Sequence, residues 1–139
     1  MAIYFHNEDI SFHLNRQNNI KKWIKEVIGK EKYILGSINI IFTSRKRIFE
    51  INLEYLGHDY FTDIITFEYN ENNVISGDIF ICPEVVHENA GEYKTTLENE
   101  LLRVIIHGIL HLIGYDDQDE KDKANMRKME DIYLALIPS

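Results

Sequence analysis

The chain has 139 residues, a length typical of one domain, and 45% of them are hydrophobic while 27% are charged. With only 7 Gly and 2 Pro, the composition excludes collagen-like and linker-dominated architectures. The net charge of -8 argues against a protein that coats nucleic acid, because such binding depends on basic charge. It does not exclude a nucleic-acid enzyme with a local basic rim. We expect a single domain covering residues 1–139.

The single cysteine, Cys82, has no partner for a disulfide within the chain. The sequence contains no run of 18 apolar residues, the length that would predict a membrane-spanning helix. The first ten residues also lack the basic and apolar segments of a secretory signal. We therefore expect a cytoplasmic protein with no membrane partner and no disulfide partner.

Short β-branched or aromatic runs predict strands, and apolar residues at helical spacing predict helices. The predicted strands are Ile3–Phe5, Ile38–Phe42, Asp63–Tyr69 and Val74–Cys82, with a turn at Asn72 and Asn73 between the last two. The predicted helices are Asn15–Ile28, Arg45–Leu56, Pro83–Ala90 (ended by Gly91), Leu97–Ile113 and Asp119–Leu136. Strands early and helices late are typical of an α+β fold, here a small mixed β-sheet packed by helices.

The helix predicted over Leu97–Ile113 is apolar on almost every side, which indicates a buried central helix, yet it carries two histidines. His107 and His111 are four residues apart, so both imidazoles lie on one face, one turn from each other. Gly114 then ends the helix and lets the chain return Asp117 to the same place. The pattern H-x-x-x-H-x-x-G-x-x-D favours one Zn²⁺ held by two imidazoles and a carboxylate, with a fourth position open for water.

Other interpretations of the pattern stay open. Two core histidines hydrogen-bonded to the backbone would leave the same spacing without any metal. The pattern is also close to the metzincin protease motif H-E-x-x-H-x-x-G-x-x-H, but Gly108 replaces the glutamate that serves as general base. No Met-turn is evident, because Met126 and Met129 fall within a predicted helix. An iron oxygenase with two histidines and one carboxylate is less favoured, since its ligands usually come from strands.

Three segments resemble one known family. The run from His107 to Asp117, HGILHLIGYDD, resembles the signature H-G-x-L-H-L-x-G-Y-D-H of the YbeY family, bacterial metal-dependent endoribonucleases that mature ribosomal RNA. Gly77–Cys82 is similar to the family's strand G-D-I-x-I-C. The family's N-x-x-Y-R-x-x-D-x-P-T-D-V-L-S-F is matched at Asn52, Tyr55, Asp59, Thr62, Asp63 and Phe67. The order and separation of the segments agree with the family, and with the last helix they span most of the chain.

The resemblance implies a sheet with helices around a cleft and a zinc ion at its mouth. It implies a single-strand-specific endoribonuclease in ribosomal RNA maturation and ribosome quality control, with ribosomal RNA and the small ribosomal subunit as partners. His107, His111 and Asp117 would hold the zinc, and Asp63, which matches the family's Thr-Asp carboxylate, would be catalytic with the two histidines. Asp116, which matches the family's Asp, would orient a ligand histidine, although a solvated turn residue explains it equally well.

The chain departs from the family at positions that affect the chemistry. Asp117 replaces the family's third ligand histidine, and Leu56 replaces an arginine; Phe61 and Thr66 replace a proline and a serine. Because that arginine is missing, the basic run Arg45, Lys46 and Arg47, together with His58, is predicted to bind the RNA. A solvated helix face explains the same run equally well.

A second class of function also fits the sequence, a ribosome-associated binding factor whose zinc is structural. An open coordination position favours the enzyme, whereas full coordination by protein groups favours the binding factor.

Overall fold

The computed structural model describes residues 2–58 and 62–137, which form four strands and five helices. The strands are β1 (Ile3–Glu8), β2 (Ile34–Thr43), β3 (Ile64–Glu68) and β4 (Val74–Ile81). The helices are α1 (Gln17–Lys30), α2 (Arg45–Leu56), α3 (Pro83–Glu92), α4 (Leu97–Ile113) and α5 (Glu120–Leu134). Asp59 and Phe61, two positions of the family motif, lie outside the described residues. No helix in the described ranges combines the length and apolar character needed to cross a membrane.

The strands form one mixed sheet in the order β1-β2-β4-β3. β1 and β4 both run parallel to β2, whereas β3 is antiparallel to β4. Every second residue of β4 is buried, the period-two pattern of a strand with one face on the core. The hairpin between β3 and β4 turns where the sequence predicts it, with Asn72 in the left-handed region at φ 55°. The predicted α+β fold is therefore confirmed.

Helix α4 is the buried central helix that its apolar sequence predicts, and it lies very close to the sheet. Glycine at two positions permits this approach. A Cβ on Gly108 would lie 2.8 Å from Cδ1 of Ile64, and one on Gly77 would lie 2.8 Å from Cδ2 of Leu112 on α4. Because β3 begins at Ile64, the close packing places Asp63, the residue before it, beside the histidine-bearing edge of α4.

Helix α5 is held beside α4 by a long-range contact with α1. Trp23 is fully buried on α1, and its indole N–H donates a hydrogen bond of 2.8 Å to the carbonyl oxygen of Tyr133. Met126, Glu130 and Tyr133 are the buried residues of α5, and they follow helical spacing. This arrangement fixes one face of α5 next to the histidines of α4.

Several element boundaries differ from the sequence-based prediction. β1 continues beyond Phe5 to Glu8, because its parallel pairing with β2 extends to that residue. α3 does not end at Gly91 but continues to Glu92. The backbone N–H of Tyr93 donates to the Asn89 carbonyl, and that of Lys94 donates to the Gly91 carbonyl. Gly91 keeps the helical conformation here, since a glycine ends a helix only where it adopts the left-handed conformation. At Gly114, where φ is 123°, glycine does end α4 as predicted.

Candidate metal centre and catalytic cleft

Three side-chain atoms converge at the end of α4. The Nε2 atoms of His107 and His111 lie 3.0 Å apart. Oδ2 of Asp117 lies 3.3 Å from the first nitrogen and 3.4 Å from the second. A tetrahedral zinc ion with bonds of about 2.0–2.1 Å keeps its ligand atoms about 3.3 Å from each other. The predicted set of His107, His111 and Asp117 therefore has the spacing and the donor chemistry that Zn²⁺ requires.

Both imidazoles are oriented through their second nitrogen. Nδ1 of His111 donates a hydrogen bond of 2.9 Å to the carbonyl oxygen of Tyr115. Nδ1 of His107 lies 2.6 Å from the carboxylate of Glu130. Because both Nδ1 atoms face acceptors, the Nε2 lone pairs point toward the shared centre, the arrangement usual for metal-binding histidines.

Glu130 is the orienting residue that the sequence analysis missed. The sequence predicted that Asp116 orients a ligand histidine. Asp116 is exposed, however, and the Nδ1 atoms of the two histidines pair with Glu130 and with the carbonyl oxygen of Tyr115. Asp116 precedes the ligand Asp117 directly in the sequence, and its side chain faces solvent. A signal for Glu130 was present, since it is an acidic residue at the same helical spacing as the buried Met126 and Tyr133.

Glu130 is 4% exposed and is fully engaged. Its second oxygen accepts a hydrogen bond of 2.8 Å from Arg103, which also pairs with Asp131 at 2.6 Å. Burial lowers the pKa of His107, but the hydrogen bond and charge of Glu130, with Asp117 and Asp63, outweigh it and raise this pKa. Zinc needs the neutral imidazole, so a metal ion and a proton compete for His107.

A second carboxylate, that of Glu31, ties together the segments behind the site. The hydroxyl of Tyr115 donates to Glu31 at 2.6 Å, and the hydroxyl of Tyr133 donates to the other oxygen of the same group. Burial and this bond raise the pKa of Tyr115 to about 12. Glu31 thus links the end of α1 to the loop that orients His111 and to the helix that carries Glu130.

Open clefts flank the ligand atoms on two sides. Asp63, Ile64, His107 and Asp117 line both clefts. One cleft, of about 510 Å³, extends toward α2 and is also lined by Asn52, Leu56, His58, Thr62, Ile65, Thr66, His111 and Gln118. The other, of about 380 Å³, extends between α3, α4 and α5 and is also lined by Asn89, Tyr93, Glu100, Arg103, Val104, Lys123, Met126, Arg127 and Glu130. The centre that the ligand atoms surround is therefore accessible from either side.

Asp63 lies where the two clefts meet. Its carboxylate accepts a long hydrogen bond of 3.4 Å from the side-chain amide of Asn89. Burial raises the pKa of this carboxyl, while its hydrogen bonds and the nearby His107 oppose the shift. The structure thus brings the predicted catalytic carboxylate into the cleft beside the ligand set, where its catalytic role stays a prediction.

Of the predicted substrate-binding residues, one lines a cleft beside the ligand atoms and three do not. His58 lines the cleft on the α2 side. The run Arg45, Lys46 and Arg47 forms the first turn of α2, about 16 Å from the cleft-lining Leu56 at 1.5 Å per residue. Arg45 pairs with Glu84 and Glu88, and Arg47 pairs with Glu8. Within residues 2–58 and 62–137, the linings of the two clefts include none of the three.

An α+β fold with a His-His-Asp ligand set at an open cleft defines a candidate metal-dependent enzyme. The family model described as endoribonuclease YbeY matches residues 2–137. The chain belongs to this family. It is 44% identical over 138 residues to the endoribonuclease YbeY of Parabacteroides distasonis, covering 99% of this chain and 97% of that protein. It is 43% identical over 136 residues to the one of Bacteroides fragilis, covering 98% of each.

A solved structure is similar as well. The solution structure of a Thermotoga maritima protein superimposes with a TM-score of 0.69 at 37% sequence identity, covering 95% of this chain and 86% of that one.

Proposed function

We propose that this chain is a single-domain, zinc-dependent endoribonuclease that cleaves single-stranded RNA during maturation of small-subunit ribosomal RNA and in ribosome quality control in the cytoplasm. The curated relatives named endoribonuclease YbeY, 42–44% identical over nearly the whole chain, support the endoribonuclease activity. The observation that carries the proposal is the convergence of His107, His111 and Asp117 at 3.0–3.4 Å in an open cleft.

The ligand set leaves room for a reacting group. The three side chains are 22%, 26% and 39% exposed, so the centre that they surround faces solvent. Three protein ligands and an open fourth position are typical of catalytic zinc, whereas structural zinc is usually closed by four. When bound there, the ion would polarise a phosphoryl oxygen and make a water molecule more acidic.

Asp63 is the residue to which we assign the movement of a proton. Its carboxylate lines both clefts together with His107 and Asp117, so it lies within the same site as the three ligand side chains. We assign it the removal of a proton from the attacking water. Asn89, which donates to Oδ2, orients the carboxylate for this task.

The alternatives from the sequence are not favoured. A metzincin protease needs a glutamate where this chain has Gly108, and a Cβ there would already lie 2.8 Å from Ile64. Met126 and Met129 lie within α5 rather than in a turn. The exposed three-ligand centre also argues against a binding factor with a closed structural zinc.

RNA cleavage by defined variants tests the proposal. Protein purified without chelators should contain one zinc, cleave unstructured ribosomal RNA fragments, lose cleavage on chelation and regain it with zinc. His107→Ala should lose stoichiometric metal. Asp63→Asn should keep metal and melting temperature but cleave roughly 10²–10⁴-fold more slowly in single turnover.

Asp116→Asn is the matched control, since it removes a neighbouring exposed carboxylate and should cleave normally. Fully zinc-loaded wild-type protein that cleaves no RNA fragment would contradict the proposal and favour the binding factor. An Asp63→Asn variant that melts earlier, with a proportionate loss of activity, would make Asp63 a structural residue.

A further inference from the structure

We propose that the groove between α3, α4 and α5 binds the RNA strand on one side of the metal centre, with phosphates on Lys123 and Arg127 and a base stacked on Tyr93. The inference rests on the proposed function and names the binding surface for its substrate.

The groove is continuous and long enough for several nucleotides. The 380 Å³ cleft beside His107 adjoins a second cavity of about 370 Å³, and the two share Tyr93, Glu100, Arg103 and Arg127 in their linings. The second cavity reaches Asn99, eight residues before His107 on α4. At 1.5 Å per residue this is about 12 Å. That length holds about three nucleotides at the stacked spacing of about 3.4 Å.

Positive charge distinguishes this groove from the cleft on the α2 side. The lining described for the α2 side contains no lysine or arginine, and Leu56 lies there. The lining of the α3-α4-α5 groove contains Arg103, Lys123 and Arg127. In a protein of net charge -8, a phosphate backbone leaving the metal centre is attracted toward the side that carries these cations.

Two of the three cations are available to a ligand. Arg103 is engaged by Glu130 and Asp131, but Lys123 and Arg127 form no ion pair among the described residues. Lys123 and Arg127 are exposed and lie four residues apart on α5, so their side chains share one face of the helix. The Cβ atoms of residues four apart on a helix are about 5–6 Å from each other, a spacing that lets the two side chains contact neighbouring phosphates.

Four acidic residues also line the groove. Asp63 and Asp117 lie at the metal end and line the cleft on the α2 side as well, so they do not distinguish the two sides. Glu130 is buried and bound to both Arg103 and His107. Glu100 is 8% exposed, and its burial raises its pKa while Arg103 and Arg127 oppose the shift. Neither carboxylate is therefore presented freely to a phosphate.

Tyr93 supplies the surface for a base. It follows α3, is 67% exposed and lines both cavities of the groove. An exposed aromatic ring beside unpaired cations is how single-strand-binding proteins hold successive nucleotides, because every base offers a face for stacking. Stacking needs no direct hydrogen bonds to base edges, so this surface would accept single strands whatever their sequence.

Binding of a fluorescently labelled single-stranded RNA tests the groove. Anisotropy is recorded over a range of salt with zinc-loaded protein, and a denaturing gel verifies that the RNA is intact. Lys123→Gln with Arg127→Gln should lower the log–log salt slope by about 1.4, or 0.7 for each lost phosphate contact. At 0.1 M salt, a slope lower by about 1.4 corresponds to about 25-fold weaker RNA binding. In cleavage assays the KM for RNA should rise while kcat changes little.

The matched control is Lys121→Gln with Lys128→Gln. Both lysines are exposed on α5, and the double change alters the net charge equally, but they lie on the opposite side of the helix. This variant should bind RNA as the wild type does. Tyr93→Ala should weaken binding roughly 5- to 100-fold, and Tyr93→Phe, which keeps the ring, should restore it.

Each outcome is informative. Equal losses in the two double variants, or none in either, would overturn the proposed groove even if cleavage is normal. Zinc-loaded wild-type protein that binds RNA through Lys123 and Arg127 but cleaves none would contradict the endoribonuclease proposal and leave the groove standing. Wild-type protein that does not bind the RNA would overturn both.

Discussion

The carboxylate of Glu130 lies 2.6 Å from Nδ1 of His107, a contact between residues 23 positions apart and on different helices. It makes α5 a part of the metal centre, although α5 provides none of the three ligands in the described set. The other oxygen of Glu130 is bound by Arg103, one turn before His107 on α4. The imidazole is therefore held by a chain of two buried or half-buried charged groups.

Glu130→Gln should weaken zinc binding 10- to 100-fold, the usual effect of losing a partner that orients a ligand histidine. Glutamine keeps the size of the side chain but removes the charge that favours the ligating tautomer. Competition with a chromophoric chelator measures the affinity. Asp131→Asn is the control, because Asp131 binds the same arginine from an exposed position and should change zinc affinity little. Equal affinities of Glu130→Gln and the wild type would show that Glu130 does not position His107.

Asp117→His should retain or tighten zinc binding, because imidazole is a good zinc ligand and the family signature has histidine at this position. Asp117 is 39% exposed, so the larger ring has space to turn toward the centre. Asp117→Ala, which leaves two ligands, should lose stoichiometric zinc. Metal content and chelator competition on both variants give the answer. Loss of zinc in Asp117→His as well would mean that the loop after Gly114 cannot present an imidazole.

Glu100→Gln should raise the melting temperature at pH 7. Burial raises the pKa of Glu100 above its ordinary value of 4.5, so the folded state binds its proton more readily than the unfolded state does. The contribution of Glu100 to the free energy of unfolding of the wild-type protein is therefore lost as the pH rises from about 4.5 through the raised pKa. The advantage of the variant should shrink as the pH falls toward 5.

Melting curves of wild-type and variant protein between pH 5 and 7 measure this effect. Glu54→Gln, a change of the same kind at an exposed position on α2, should show no such dependence. A constant difference between Glu100→Gln and the wild type at all pH values would contradict the role of Glu100 ionisation.

Changing Arg45, Lys46 and Arg47 together to glutamine tests whether the basic run also contacts RNA. If it does, the salt slope of RNA binding falls by about 0.7 for each lost phosphate contact. Lys46 is the member with no ion pair among the described residues, so Lys46→Gln alone should account for most of the decrease. Because Arg45 and Arg47 pair with glutamates, melting of the triple variant must be measured as well. An unchanged slope would show that the run faces solvent.

Most of the local structure could be predicted from the sequence. The nine elements follow from apolar periodicity, because a helix or strand shows its buried face at a fixed spacing along the chain. The ligand set could be predicted for the same reason. His107 and His111 are one helical turn apart, and Gly114 and Asp117 follow within six residues, so local backbone geometry brings them together.

Tertiary structure alone decided what surrounds those ligands. Glu130 reaches His107, and Glu31 reaches Tyr115 across 84 positions, only because α1, α4 and α5 pack together. The packing of α3 and α5 on α4 brings Tyr93, Lys123 and Arg127 into the lining of one cleft, three residues that no sequence pattern connects. Sequence periodicity specifies which face of each helix is buried, but which two faces meet depends on the whole core. Contacts between distant residues follow from that packing.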